Sequence, residues 1–156
     1  MEWEQDLLII GRVALAMACG GVIGAEREWA HKPAGFRTHM LIAGASALLV
    51  SLADIMVLRG AAPGGAVSEM IRSDPIRVVE AIVTGLGFIG AGTIFRARDS
   101  ERIEGLTTAA SILLVGAIGI AVALEAYVLA IGMTFLSLMV VGAIGMVERR
   151  AAGLRK

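Results

Sequence analysis

Apolar residues run along this chain in long blocks. Residues 7–25 contain one charged side chain, Arg12, residues 38–58 contain one, Asp54, and residues 81–95 contain none. Glu104 and Glu125 are separated by 20 uncharged residues, and Glu125 and Glu148 by 22. A helix needs about 20 mostly apolar residues to cross a bilayer core of roughly 30 Å. The blocks therefore predict five membrane-spanning helices, at about 7–25, 38–58, 76–95, 106–124 and 127–147. The third is the least hydrophobic, because Arg77 and Glu80 lie in its first turns. A buried helix of a soluble α/β protein would show a polar face at 3.6-residue spacing. Val128–Val147 has only Thr134 and Ser137 as polar side chains, so it shows no such face. The expected fold is all-α: a polytopic bundle of five transmembrane helices in one domain (1–156). No soluble domain is expected after the fifth span, since only Glu148–Lys156 follow it.

Composition agrees. The 156 residues are 57% hydrophobic, against about 45–50% in a soluble domain. The formal net charge is zero and aromatics are 4%, which leaves neither a polyanion-binding surface nor a stacking platform for bases. Nucleic acid is not an expected partner; the lipid bilayer is. The acidic opening from Met1 to Asp6 is unlike a signal peptide, which opens basic. Lys and Arg in the connecting segments set orientation. Arg27, Lys32, Arg37, Arg96, Arg98, Arg102, Arg149, Arg150, Arg155 and Lys156 fall on one side; Arg59 and Arg72, with Arg12 and Arg77 near the boundary, fall on the other. The N-terminus is thus expected outside and the C-terminus in the cytoplasm.

Glycine is the most suggestive residue type. Gly85-Leu-Gly87-Phe-Ile-Gly90 matches the glycine fingerprint of dinucleotide-binding folds, and Glu104 lies where the ribose-binding acid would be. That fingerprint requires a strand before it and a helix after it. Here it lies inside a span, so a nucleotide-dependent enzyme is excluded. Within a membrane, small residues let helix backbones approach. Gly20 and Gly24 form a G-x-x-x-G in helix 1, and Gly85, Gly87, Gly90 and Gly92 smooth helix 3. These glycines predict close helix packing, within one chain or in a homo-oligomer. Alternatively, the four in helix 3 unwind it to line a site, since each glycine costs about 1 kcal/mol relative to alanine.

Two layers of polar residues flank the spans. On the outer side Arg12, Asp54 and Glu80 lie at matching depths, about 6–8 Å below the boundary at 1.5 Å per residue. Ionisable residues at membrane depth face protein or a water-filled cavity, often in pairs. Arg12 and Glu80 are expected to face each other, with helices 1 and 3 adjacent and Asp54 close by. The layer reads either as side chains snorkelling to the interface or as a vestibule that attracts a cation. On the inner side Glu26 and Arg27 end helix 1, Arg37 and Thr38 begin helix 2, and Thr107 and Thr108 begin helix 4. Pro33-Ala-Gly35 reads as a tight turn that aims Arg37 back at Glu26, and the threonine hydroxyls are placed to cap helix 4. This layer reads as a charge-paired junction or as a gate or ligand site. No zinc-type ligand spacing occurs, and His31 and His39 read as interfacial polar groups. Mg²⁺ would take a few carboxylate oxygens; Asp54 and Glu80 are candidates, with Glu26 on the opposite face. No nucleophile–base arrangement emerges, so no enzyme and no resident cofactor are expected.

Five motifs in order carry a resemblance. They are Gly20-Gly-Val-Ile-Gly-Ala-Glu26-Arg27-Glu28, Lys32-Pro-Ala-Gly-Phe-Arg37-Thr38-His39, Asp74-Pro-Ile-Arg77, Gly85-Leu-Gly-Phe-Ile-Gly-Ala-Gly92 and Gly105-Leu-Thr-Thr-Ala-Ala-Ser111. Together, over about Gly11 to Gly119, they resemble the MgtC/SapB family of bacterial inner-membrane proteins. The resemblance implies a plasma-membrane protein linked to growth under magnesium limitation and, in some pathogens, to survival inside host cells. Three departures stand out. Many members carry a small cytoplasmic domain after the last span, which is not expected here. Ile112-Leu-Leu follows Ser111 where members tend to have an aromatic, and Glu80 stands where a glutamine-like residue is usual. The expected function is that of a regulatory or accessory membrane protein, acting by contact with other membrane proteins. The alternative is an oligomeric transporter or channel for Mg²⁺ or another cation.

Overall fold

The computed structural model describes residues 2–60, 75–96 and 103–153, with side-chain surroundings over 3–57, 76–95 and 103–142. The side chains of Arg59, Arg72, Arg96, Arg98, Arg102, Arg149, Arg150, Arg155 and Lys156, all counted for orientation, lie outside the described residues, as does Asp74. Five helices form: α1 (Glu2–Trp29), α2 (Phe36–Gly60), α3 (Pro75–Ala91), α4 (Leu106–Ala123) and α5 (Tyr127–Gly153). The architecture is an all-α bundle. Trp3–Trp29, Phe36–Val57 and Leu106–Ala123 are long and apolar enough to cross a membrane, and Tyr127–Gly142 is a shorter apolar stretch. The bundle's exterior is itself apolar: Leu8, Leu41, Phe88, Val128 and Met139 all point outward, as expected where lipid is the solvent.

The centre of the bundle is α1, α2 and α4. α1 lies along α2, and both pack on α4; α3 leans on α4, and α5 on α1 and α4. Ala16, Ile23, Ala43, Ala47, Ile112, Val115 and Val122 fill the space between them. Much of this contact is backbone against backbone. A Cβ on Gly24 would sit 2.8 Å from Phe36 Cα, and one on Gly20 would sit 2.9 Å from Ala43 Cβ. A Cβ on Gly119 would collide with the Ala43 backbone. Gly20 and Gly24 therefore pack α1 on α2 within one chain, the small-xxx-small geometry of membrane helices.

Helix 3 is not unwound, but its glycine packing and its end differ from expectation. It runs unbroken from Pro75 to Ala91 through Gly85, Gly87 and Gly90. A Cβ added at Gly85 or Gly87 would meet nothing within 4 Å, whereas one at Gly90 would touch Ala109 on α4. The helix also stops before residue 95. Thr93 N–H donates to Gly90 O and Thr93 Oγ1 donates to the same carbonyl, closing its last turn. Phe95–Arg96 (β1) then pairs antiparallel with Ile103–Glu104 (β2), Phe95 opposite Glu104. Two-residue strands carry no readable alternation, so they merged with the apolar run before them. Gly105 follows at φ 91°, pressed against the Thr93 carbonyl, a conformation that glycine adopts without strain.

Candidate functional site

Two polar clusters occupy opposite ends of the α1–α2–α4 core. The first grows from α1's buried stripe of Ala16, Gly20, Ile23 and Gly24, which continues one turn further to Arg27. Arg27 is only 3% exposed. Helical side chains tilt toward the N-terminus, so its guanidinium reaches back into the bundle. Nε donates to Glu26 Oε2 at 2.7 Å, whereas Nη1 is buried with no hydrogen-bond partner. On α2, His39 is fully buried. Its Nδ1 lies 2.9 Å from Gly35 O and its Nε2 3.0 Å from Ser111 Oγ on α4. A carbonyl can only accept, so Nδ1 carries a proton. The single Ser111 hydroxyl proton has two acceptors in reach, Thr108 O at 2.8 Å and His39 Nε2. His39 thus ties α2 to α4 and is an interior crosslink, not the interfacial group its sequence position suggested.

The turn that delivers α2 to this cluster is built from α1's own end. Lys32 N–H donates to Arg27 O and His31 N–H to Glu28 O, with His31 at φ 55°; this is the Schellman pattern of a helix C-terminus. Glu28 Oε2 then accepts the Phe36 N–H at 2.9 Å and caps α2. That capping role was not read from the sequence. A capping acid normally precedes its helix by a residue or so, and Glu28 acts from eight residues upstream across the reversal. Arg37 does not fold back on Glu26. It and Thr38 are exposed at the start of α2, and Glu26 takes its neighbour Arg27 instead. The threonines do not cap α4 either: the N-cap is Gly105, with no side-chain cap. Thr108 is buried on α4's inner face, and Thr107 is exposed.

At the other end Arg12 forms an ion pair with Glu125, in the turn between α4 and α5. Glu125 is at φ 61° and completes a second Schellman turn, with Ala126 N–H on Ala121 O and Glu125 N–H on Val122 O. Arg12, Asp54 and Glu125 line a cavity of about 490 Å³ with Gln5, Ser51 and apolar side chains. Asp54 is therefore near Arg12, as expected, but Glu80 is not. Glu80 is exposed on α3, which packs on α4 and not along α1. Matching depth brought Arg12 and Asp54 together and chose the wrong carboxylate partner, because depth says nothing about position around the bundle. Among the described residues no three His, Cys, Asp or Glu side chains come together to hold a metal ion.

Glycine-packed helices and a buried Arg27 paired with the partly exposed Glu26 make up this core and its end. The sequence profile of the MgtC family matches residues 13–150. The chain belongs to the MgtC family. It is 41% identical over 117 residues to an uncharacterized protein of Haemophilus influenzae, covering 75% of this chain and 47% of that one. It is 39% identical over 137 residues to the putative magnesium transporter YhiD of Escherichia coli, covering 85% and 58%. It is 37% identical over 121 residues to protein SapB of Bacillus subtilis, covering 78% and 50%. The chain thus spans about half the length of the curated relatives it matches. No solved structure matches it. Membership of this family, with its apolar helices, makes this MgtC-family chain a membrane protein.

Proposed function

We propose that this MgtC-family protein is a regulatory or accessory protein of the bacterial inner membrane, acting under magnesium limitation through contact with other membrane proteins. It acts without catalysis and orients its N-terminus outward and its C-terminus in the cytoplasm. One observation carries this reading. The two polar ends are separated by the α1–α2–α4 core, where glycine and alanine bring backbones into contact. A solid core within one chain supports a protein that presents surfaces to others, further copies of itself included. Magnesium enters through the family and through the printed name of the Escherichia coli relative.

The test is reconstitution of the purified chain into liposomes containing a Mg²⁺-sensitive dye, beside complementation of magnesium-limited growth. The expected result is dye response no faster than in empty liposomes, with growth restored. A second reading, cation transport by an oligomer, is favoured by the cavity that joins Asp54 to Glu125. Mg²⁺ flux above empty liposomes, abolished by Asp54→Asn, would replace the first reading with the second.

A further inference from the structure

The cavity at the Arg12 end holds more charge than its ion pair accounts for. It lies between α1, the last turns of α2 and the α4–α5 turn, with a volume of about 490 Å³. Arg12 gives one nitrogen, Nη2, to Glu125. A guanidinium offers five N–H donors in a planar fork. Among the described residues no other group takes the donors that remain. Asp54 lines the same cavity and is half-buried. Among the described residues it has no hydrogen bond and no ion pair. Arg12 and Glu125 cancel, so Asp54 leaves the cavity with one uncompensated negative charge. Ionisable groups at membrane depth are usually paired.

The lining selects among ligands. An inorganic cation would find the Arg12 charge beside it, and no third acidic or imidazole ligand among the described residues. A free oxyanion would find Asp54 and Glu125. A ligand that carries both signs meets a partner for each: its anion takes the open guanidinium edge, and its cation takes Asp54. The rest of the wall is largely apolar, with Leu8, Ile9 and Ile55. Leu8 is also 63% exposed on the outside of the bundle, so the wall runs on into the surface that lipid covers.

We propose that this cavity binds the headgroup of a phospholipid that carries a primary amine, with the ammonium on Asp54 and the phosphate on the free edge of Arg12. A primary ammonium brings N–H donors to the unpaired carboxylate; a quaternary ammonium has none to bring. A headgroup without an amine leaves Asp54 unpaired and adds a second negative charge. The acyl chains follow Leu8 outward onto the apolar exterior of α1. Binding at this site requires neither contact with other proteins nor passage of ions.

The experiment uses the full chain, delipidated in a neutral detergent and titrated with short-chain lipids by native mass spectrometry. Phosphatidylethanolamine should bind wild type about tenfold or more tightly than phosphatidylcholine or phosphatidylglycerol. Asp54→Asn should weaken phosphatidylethanolamine about tenfold and erase its preference over phosphatidylcholine. Without lipid this variant should melt like wild type, since Asp54 has no partner among the described residues. Saturating phosphatidylethanolamine should raise the melting temperature of wild type and not that of the variant, which separates lost binding from lost folding. Glu80→Gln removes an exposed carboxylate of α3 that does not line the cavity, and should change affinity by less than about twofold because that charge is screened. Glycerophosphoethanolamine, the headgroup without chains, should bind far more weakly than the lipid; equal binding would assign the site to a soluble zwitterion and overturn the proposal. It is overturned equally if the three lipids bind wild type alike, or if Asp54→Asn binds phosphatidylethanolamine like wild type.

Discussion

Arg12 and Arg27 lie about four turns apart on one helix, and each has one carboxylate partner. At the Arg12 end the pair is long-range and open. Glu125 comes from the α4–α5 turn, and the side chains are 24% and 60% exposed. At the Arg27 end the carboxylate is the adjacent residue, and the guanidinium is 4% exposed. The wet pair joins two distant parts of the chain yet has water as an alternative partner. The dry pair joins nothing distant, but its arginine has nowhere else to go. The energetic burden should therefore fall on the Arg27 end, although the Arg12 contact spans more of the fold.

Four predictions test that contrast, the largest first. Glu26→Ala leaves the Arg27 charge buried and unpaired and should lower stability by about 3 kcal/mol, the lower part of the range for breaking a buried pair because Glu26 is partly exposed. Thermal unfolding in detergent, followed by tryptophan fluorescence, measures it; a loss no larger than that of Arg12→Ala would erase the distinction. Next, His39→Leu removes the crosslink between α2 and α4 and the ring's bond to Gly35 O, which keeps the backbone N–H of residue 39; two lost hydrogen bonds should cost about 1–3 kcal/mol. Paired with Ser111→Ala in a double-mutant cycle, it should show clear coupling. Third, His31→Gly relieves a left-handed residue and should stabilise by about 1 kcal/mol. Glu125→Gly relieves the same strain but forfeits the Arg12 pair, so its gain in the same melt should be smaller. Last, Arg12→Ala should cost about 0–1 kcal/mol, as exposed pairs do, and that cost should shrink when salt is raised.

The sequence made the helices readable and left their neighbours unread. Long apolar runs with few charges mark the helices, because in lipid the backbone must satisfy its own hydrogen bonds. The nearness of Arg12 and Asp54 was likewise readable from counting residues. Glu125 was overlooked as Arg12's partner because it served as a boundary marker between two apolar runs. Its side chain turns back only because the chain there adopts a left-handed turn at a non-glycine residue, which no propensity announces. The Arg27 end left a fainter trace. Gly20 and Gly24 foretold close packing without naming α2 as the partner, and extending that stripe by three residues reaches Arg27. What the stripe could not reveal is that His39 crosses to Ser111, 72 residues away.

The contact of Gly20, Gly24 and Gly119 with backbone has a further consequence, for heat rather than for shape. When ordinary side chains interlock, each gives up rotamers, about 0.5–1 kcal/mol for a leucine or isoleucine and nothing for glycine or alanine. Where α1, α2 and α4 meet through bare backbone there is little side-chain disorder for warming to release. The junction should therefore soften less with temperature than the leucine-rich surfaces around it, and outlast them as the bundle melts.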